Sequence, residues 1–585
     1  MNQPPNTGNI FLAISLSLAL LLGFNYFYER PHAEAQRRAI ALAEATKTLD
    51  KAAPTNVPTA EVPKDRAALI ASSSRIAISG QNLHGSINLT GARFDDLTLP
   101  HYRETIAPDS PAVALLSPSG STAPHHGYYA EFGWLSDAPV IVPTATTVWQ
   151  SNVSSLTPNT PITLSWDNNQ GLRFERIITL DDHYMFSITD RVINNGDAPV
   201  TLHPFALLMH QTKPSKQELA FGHSGPMGVF DGILREHSYD NLEEKLDVPE
   251  TATGGWLGVS DKYWLTALIP NTNEKFTANF RYARDANQKT TEGQKTTEGQ
   301  KPDDGRYQVD FRGEPLTIAA KTSQDYQRHF FAGAKQLEIL SAYSEQFKIE
   351  NFELAIDFGW FRILTKPLLF TLNWLGQKIG NIGLAILVLT IMVKLVLLPL
   401  GIKSNRSMAK MKLLQPEVTR LQERYKDDRQ RLSIETMELY KRAKVSPVSG
   451  CLPMLAQLPV FFALYKVLYI GIDMRHAPFF GWIHDLSAPD PTSLFNLFGL
   501  LPWNAPAFLH IGAWPVLMGL SMFLLQRLSP QPTDPVQKSV MTWMPVMFTA
   551  MLAPTMASGL IIYWTWSNLI SMAQQFLIFR HIAKP

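Results

Sequence analysis

A single lysine inside an apolar run is the residue best placed to do chemistry. Residues 382–401 are long enough to cross a bilayer as a helix, which takes about 20 residues, and Lys394 lies within them. An ammonium at that depth costs about 2.5–3.5 kcal/mol on insertion scales. Two readings are open. Either Lys394 faces water or a polar partner inside the membrane, or its stem carries the charge to the interface, about 10 Å away. Thr390 lies one turn earlier on the same helix face. Later apolar runs add the uncharged polar groups Gln457, Ser567, Asn568, Gln574 and Gln575. Singly, each is explicable as a bond between helices, worth about 0.6 kcal/mol. Together with the Lys394 cation they suit a hydrated surface that receives polar peptide. The apolar runs carry no Asp or Glu, which removes paired aspartates and the carboxylates that proton-coupled transport uses. No Gly-x-x-x-x-Gly-Lys-[Ser/Thr] loop occurs, so no nucleotide is expected.

Composition agrees with a non-enzymatic membrane protein. The 585 residues carry a net charge of +1 and are 45% hydrophobic. The lone Cys451 allows no intrachain disulfide and no thiol pair for zinc or redox work. No metal and no cofactor are expected, and nothing resembles a basic nucleic-acid-binding domain.

The elements that must position Lys394 follow from hydropathy and charge. Residues 1–30 hold one apolar stretch and read as a retained transmembrane anchor; a signal peptide cleaved near Ala33-Glu34-Ala35 is the alternative. Residues 31–70, rich in Ala, Pro and charge, read as a linker. Residues 71–350 contain short alternating runs such as Phe174-Glu-Arg-Ile-Ile-Thr-Leu180 and Tyr184-Met-Phe-Ser-Ile188, bounded by turn clusters such as Asn194-Asn-Gly196. That pattern predicts a large β-sandwich. Within it, Lys289-Thr-Thr-Glu-Gly-Gln294 repeats at once over 295–300 and reads as a polar loop. Residues 351–376, with Trp360, Trp374, Arg362 and Lys366, suit a helix lying in the membrane interface; a core helix of the preceding domain is the alternative. Spans are expected at 382–401, 451–471, 505–527, 540–556 and 558–579, the last two joined by a tight hairpin.

Loop charge sets the orientation. Residues 402–450 hold twelve Lys and Arg against six acids, the strongest positive-inside signal in the chain. They read as a cytoplasmic helical hairpin, with one helix over 404–425 and another over 429–444, and Asp427-Asp428 at the break. Met408, Met411, Leu413, Leu414 and Leu421 would form the apolar face of the first helix. Lys410, Arg420, Arg424, Lys426, Arg429 and Arg431 would form the charged surface. Loop 472–504 has Arg475 against three Asp residues and is expected outside. Arg580 and Lys584 put the tail 580–585 inside.

These features together resemble the YidC/Oxa insertases, in their Gram-negative form. The motifs that carry the resemblance are Ser407-Met-Ala-Lys-Met411, Leu414-Gln-Pro416, Gly450-Cys-Leu-Pro453, Gln457-Leu-Pro459, Trp482-Ile-His-Asp-Leu-Ser487, Met544-Pro545, Ser558-Gly559 and Ser567-Asn568. The resemblance implies an anchor, a periplasmic β-supersandwich of the kind found in sugar mutarotases, and a five-helix core with a hydrophilic groove open to the cytoplasm. The family's groove arginine falls on Lys394, which keeps the charge but loses the guanidinium fork. Its substrate-contacting threonine falls on Thr390 and its groove glutamine on Gln457. Its adjacent tyrosines in the last span fall on Tyr563 and Trp564. The implied partners are nascent membrane proteins, the Sec translocon, the ribosome transiently and membrane lipid, in the bacterial inner membrane. A membrane-anchored periplasmic glycan binder is the alternative; it leaves six spans unexplained.

Overall fold

The computed structural model describes residues 65–211, 222–284, 305–426, 428–445, 452–499, 501, 511–528, 535–552 and 555–582. The expected anchor, most of the linker, the tandem hexapeptide, Asp427, Cys451 and residues 505–510 lie outside this set. The described chain forms two compact units that meet between Asp357 and Phe358.

The first unit is a β-sandwich. It begins earlier than expected, with helix α1 (Arg66–Ala71) capped by the Asp65 side chain. Arg66 ties α1 to the sheet through Ser117 Oγ at 3.2 Å and through Asp96. An eleven-stranded sheet runs from the edge strand Asp247–Thr253 through Lys275–Arg284, Gly305–Gly313, Val200–His210, Tyr128–Leu135, Arg93–Arg103 and His84–Asn88 to Arg75–Ser79 and Ser155–Leu156. A nine-stranded sheet is centred on Thr322–Ala334, Met185–Asn194 and Leu172–Leu180. The predicted alternation appears directly: along Leu172–Leu180 every second residue is buried. Facing rings join the sheets. Phe94 of one sheet meets Phe186 and Phe330 of the other edge-on, at 5.2 and 5.4 Å. Burying each such ring contributes about 1.5–3 kcal/mol.

A cluster of inward positions breaks the apolar rule. Arg176 and Arg328 are buried between the sheets around Asp190. Arg176 Nε donates to Asp190 at 2.6 Å and its Nη2 to the Phe132 carbonyl across the sandwich at 2.8 Å. Arg328 also donates to Asp190, and to the Phe205 carbonyl at 2.9 Å. Two cations and one carboxylate thereby bridge both sheets, and burial holds both guanidinium pKa values below their ordinary range. A helix, α2 (Tyr239–Lys245), covers one end of the sandwich, and α3 (Leu337–Gln346) follows the last strand.

The second unit is helical: α4 (Arg362–Ile379), α5 (Ile382–Val396), α6 (Leu398–Leu413), α7 (Gln415–Arg424), α8 (Arg429–Arg442), α9 (Leu452–Ile470), α10 (Ala513–Leu528), α11 (Pro535–Leu552) and α12 (Ser558–Ile582). α12 packs against α5, α6, α9 and α10, while α4 packs on α5 and α9. The interfacial segment differs from its expected bounds. Residues 352–355 form a single 3-10 turn, and the helix proper begins at Arg362.

Two breaks depart from the predicted helices. The expected 382–401 run bends by 69° between α5 and α6, where Pro399 occupies the first turn of α6. The expected 404–425 helix breaks at Leu414, where Pro416 opens α7. Proline has no N–H to give the preceding turn, so it starts helices better than it continues them. Among the described residues no single helix is long and apolar enough to cross a membrane; the bent pair α5–α6 meets the requirement by length and composition alone.

Burial in this unit is inverted relative to the sandwich. Val396, Met547 and Met551 are 79%, 69% and 71% exposed, while Thr390, Ser567 and Asn568 are buried. An apolar exterior around polar contacts is the arrangement that a lipid solvent favours.

Candidate functional site: a polar seam around Lys394

Local sequence places Lys394. α4 ends at Gly380, whose φ of 75° is left-handed and suits a residue without Cβ. Asn381 then caps α5, its side chain accepting from Leu384 N at 3.0 Å. Lys394 falls in the last turn of α5. Lys394 thus sits within one turn of the bend that ends α5.

Three helices converge on this lysine. Its Nζ donates to Gln457 Oε1 of α9 at 3.0 Å and to Ser571 Oγ of α12 at 2.9 Å. Gln457 Nε2 in turn donates to Ser567 Oγ at 3.2 Å and, more weakly, to the Tyr563 hydroxyl at 3.5 Å. Tyr563, Ser567 and Ser571 recur at every fourth position and therefore share one face of α12. The result is a continuous seam of neutral oxygens and amide N–H groups with one cation in it. It can solvate polar groups and attract negative ones.

Lys394, Gln457, Tyr563 and Ser567 are brought together by hydrogen bonds. Thr390 is placed differently: its hydroxyl is buried and donates to the Ile386 carbonyl of its own helix at 2.7 Å. Asn568, one position round α12 from Ser567, turns to α10 and donates to Ser521 Oγ at 2.9 Å. Trp564 packs against Phe461 and Phe548, with centroids 4.6 and 4.9 Å away. Ser571 was missed by sequence reasoning. The four-residue spacing from Tyr563 through Ser567 was the signal that pointed to it.

The hairpin residues divide by burial. Met411 is buried and Met408 half-buried, while Lys410, Arg420, Arg424, Lys426 and Arg431 are exposed. The Arg429 side chain lies outside the described set. Leu413 was expected on the apolar face but is exposed, and Val418 is buried instead. The break at Leu414 resets the helical phase, which explains the exchange. Asp428 caps α8, accepting from Arg431 N at 2.9 Å.

The loop after α9 ties helix starts together. Asp490 accepts from Trp482 Nε1 at 3.1 Å and from Trp514 N, in the first turn of α10, at 2.8 Å. Ser558 N and Gly559 N, at the start of α12, donate to the Ala488 and Leu486 carbonyls at 2.7 and 2.9 Å. Gly383, at the start of α5, lies against the ring of Phe479, where any Cβ would collide.

Comparison with known proteins agrees in both units. The family model for the YidC periplasmic domain matches residues 75–371, and that for the 60Kd inner membrane protein matches residues 374–585. A protein named membrane protein insertase YidC from Methylorubrum extorquens is 43% identical, covering 98% of this chain and 95% of its own. Its namesake from Beijerinckia indica is 45% identical over the same shares, and that from Rickettsia bellii 42%, with 98% and 99% covered. A solved structure described as an active YidC insertase aligns with TM-score 0.36 and 16% identity, covering 92% of this chain and 98% of its own. A galactose mutarotase related enzyme from Lactobacillus acidophilus aligns with TM-score 0.30 and 7% identity, covering 44% of this chain and 97% of its own. The full-length sequence matches and the two family models carry the assignment: the chain belongs to the YidC family.

Proposed function

We propose that this protein inserts membrane proteins into the bacterial inner membrane, with the seam around Lys394 as the path for the polar part of an incoming segment. The observation that carries this reading is a cation held by neutral partners between three helices whose outer surfaces are apolar. Moving peptide N–H and C=O groups through hydrocarbon costs several kcal/mol per unpaired group, on the order of 2–7 kcal/mol. A seam of hydroxyls and amides lowers that cost, and Lys394 favours acidic or acceptor-rich segments. The hydrophobic part of the substrate then leaves sideways into lipid past Tyr563 and Trp564. No nucleotide is consumed by this chain.

In the proposed topology, six spans place both termini and the basic hairpin α7–α8 in the cytoplasm, with the β-sandwich in the periplasm. The exposed Arg and Lys side chains of the hairpin are suited to meeting the ribosome, and the Sec translocon and lipid are the other proposed partners. Site-specific photo-crosslinking from positions 457, 564 and 571 to a stalled nascent membrane protein tests the path. Adducts at these positions, absent from lipid-facing positions such as 396 and 547, are the expected result. Uniform labelling, or none, would sink it.

A further inference from the structure

Ser571 has no assigned role, yet it holds one of the two hydrogen bonds made by the Lys394 ammonium. An ammonium has three N–H donors. Gln457 Oε1 takes one and Ser571 Oγ takes another, at 3.0 and 2.9 Å. The Gln457 amide cannot turn its oxygen away without aiming its own N–H groups at the ammonium, donor against donor; as it stands, its Nε2 donates to Ser567 and Tyr563. Without Ser571 the ammonium would keep one anchor on α9 and none on α12, and its flexible stem would let it swing towards the polar boundary.

We infer that Ser571, with Gln457, is a positioning residue that holds the Lys394 ammonium in the seam and leaves a single N–H for the incoming segment. The site therefore takes segments that present one oxygen acceptor, a carbonyl or one carboxylate oxygen. It offers no fork for a bidentate carboxylate, as a guanidinium there would. This deepens the proposed function and rests on its reading of the seam as the substrate path.

The test uses the full chain, purified and reconstituted into lipid vesicles. The probes are three single-span substrates that differ only in one translocated residue, Asp, Asn or Leu. Insertion into empty vesicles is subtracted. Ser571→Ala is expected to lower assisted insertion of the Asp and Asn substrates about tenfold, the size of one charge-assisted hydrogen bond, and to leave the Leu substrate unchanged. Ser571→Thr, which keeps the hydroxyl, should restore both. Lys394→Arg should raise the Asp substrate above the Asn substrate by supplying a fork. If Ser571→Ala inserts all three like the parent while Lys394→Leu loses Asp and Asn, the positioning role is overturned and the seam stands. If Lys394→Leu also changes nothing, the seam itself fails. An equal loss of all three substrates in Ser571→Ala, not restored by Thr, would assign Ser571 to helix packing and overturn the inference.

Discussion

The two units of this chain solve opposite solvation problems. In the sandwich, phenylalanines such as Phe94 and Phe330 are buried and charges lie mainly at the surface, so apolar burial holds the sheets together. In the helical unit, Trp543 and Met547 are exposed, while Lys394, Gln575 and Ser521 are buried. Each unit nevertheless buries a charge. Arg176 and Arg328 meet a carboxylate and form part of the sandwich's structure. Lys394 meets only neutral oxygens. A buried cation matched by a counter-ion is satisfied at home, whereas one held by hydroxyl and amide groups still attracts a partner from outside.

That contrast can be broken by substitution. Asp190→Asn should give the largest loss of stability, about 3–5 kcal/mol, because it strands two buried guanidinium groups; thermal unfolding of the full chain in detergent reads it. A parent-like melt would mean that the carboxylate contributes little. Gly383→Ala should cost about 1–3 kcal/mol by overpacking against Phe479, seen as earlier melting of the helical unit. Acid should weaken the sandwich more modestly. Burial lowers His223, His237 and His329 to about 4. An unfolded histidine takes up its proton near pH 6.5, so stability present above that value falls as pH drops towards 4. Asp261 and Asp310, whose pKa values burial raises, work in the opposite sense. The difference between the parent and His237→Phe isolates the histidine contribution: the variant's melting temperature should fall less between pH 7 and 4.5, and parallel curves would refute the assignment. Lys394→Leu should have the smallest effect on stability, near zero or slightly stabilising, as an apolar side chain replaces a buried ion. Its effect on insertion should be large. A melt lowered as far as that of Asp190→Asn would erase the distinction between the two buried charges.

Much of this was legible in the sequence, and the exceptions have physical causes. Period-2 alternation gave the strands, because a sheet with one face on the core shows its register in side-chain type. Arg176 stands at an inward position of Phe174-Glu-Arg-Ile-Ile-Thr-Leu180, flanked at two-residue steps by Phe174 and Ile178; the pattern marks it as buried but cannot name Asp190 as its partner. Lys394, Gln457 and Ser567 were legible because polar groups in apolar runs are expensive and few. The Thr390 hydroxyl bond was not legible, since a threonine in a helix can bond its own carbonyl four residues back. Both helix breaks were announced by Pro399 and Pro416, yet apolar periodicity continued through them.

The seam also has a timetable. Lys394 precedes Ser571 by 177 positions and Gln457 by 63 in the direction of synthesis. At about 5–20 residues per second, its second anchor arrives about 10–35 seconds after the lysine itself is made. Until Gln457 is made the newly synthesised charge has neither anchor, and from then until Ser571 is made it has only one.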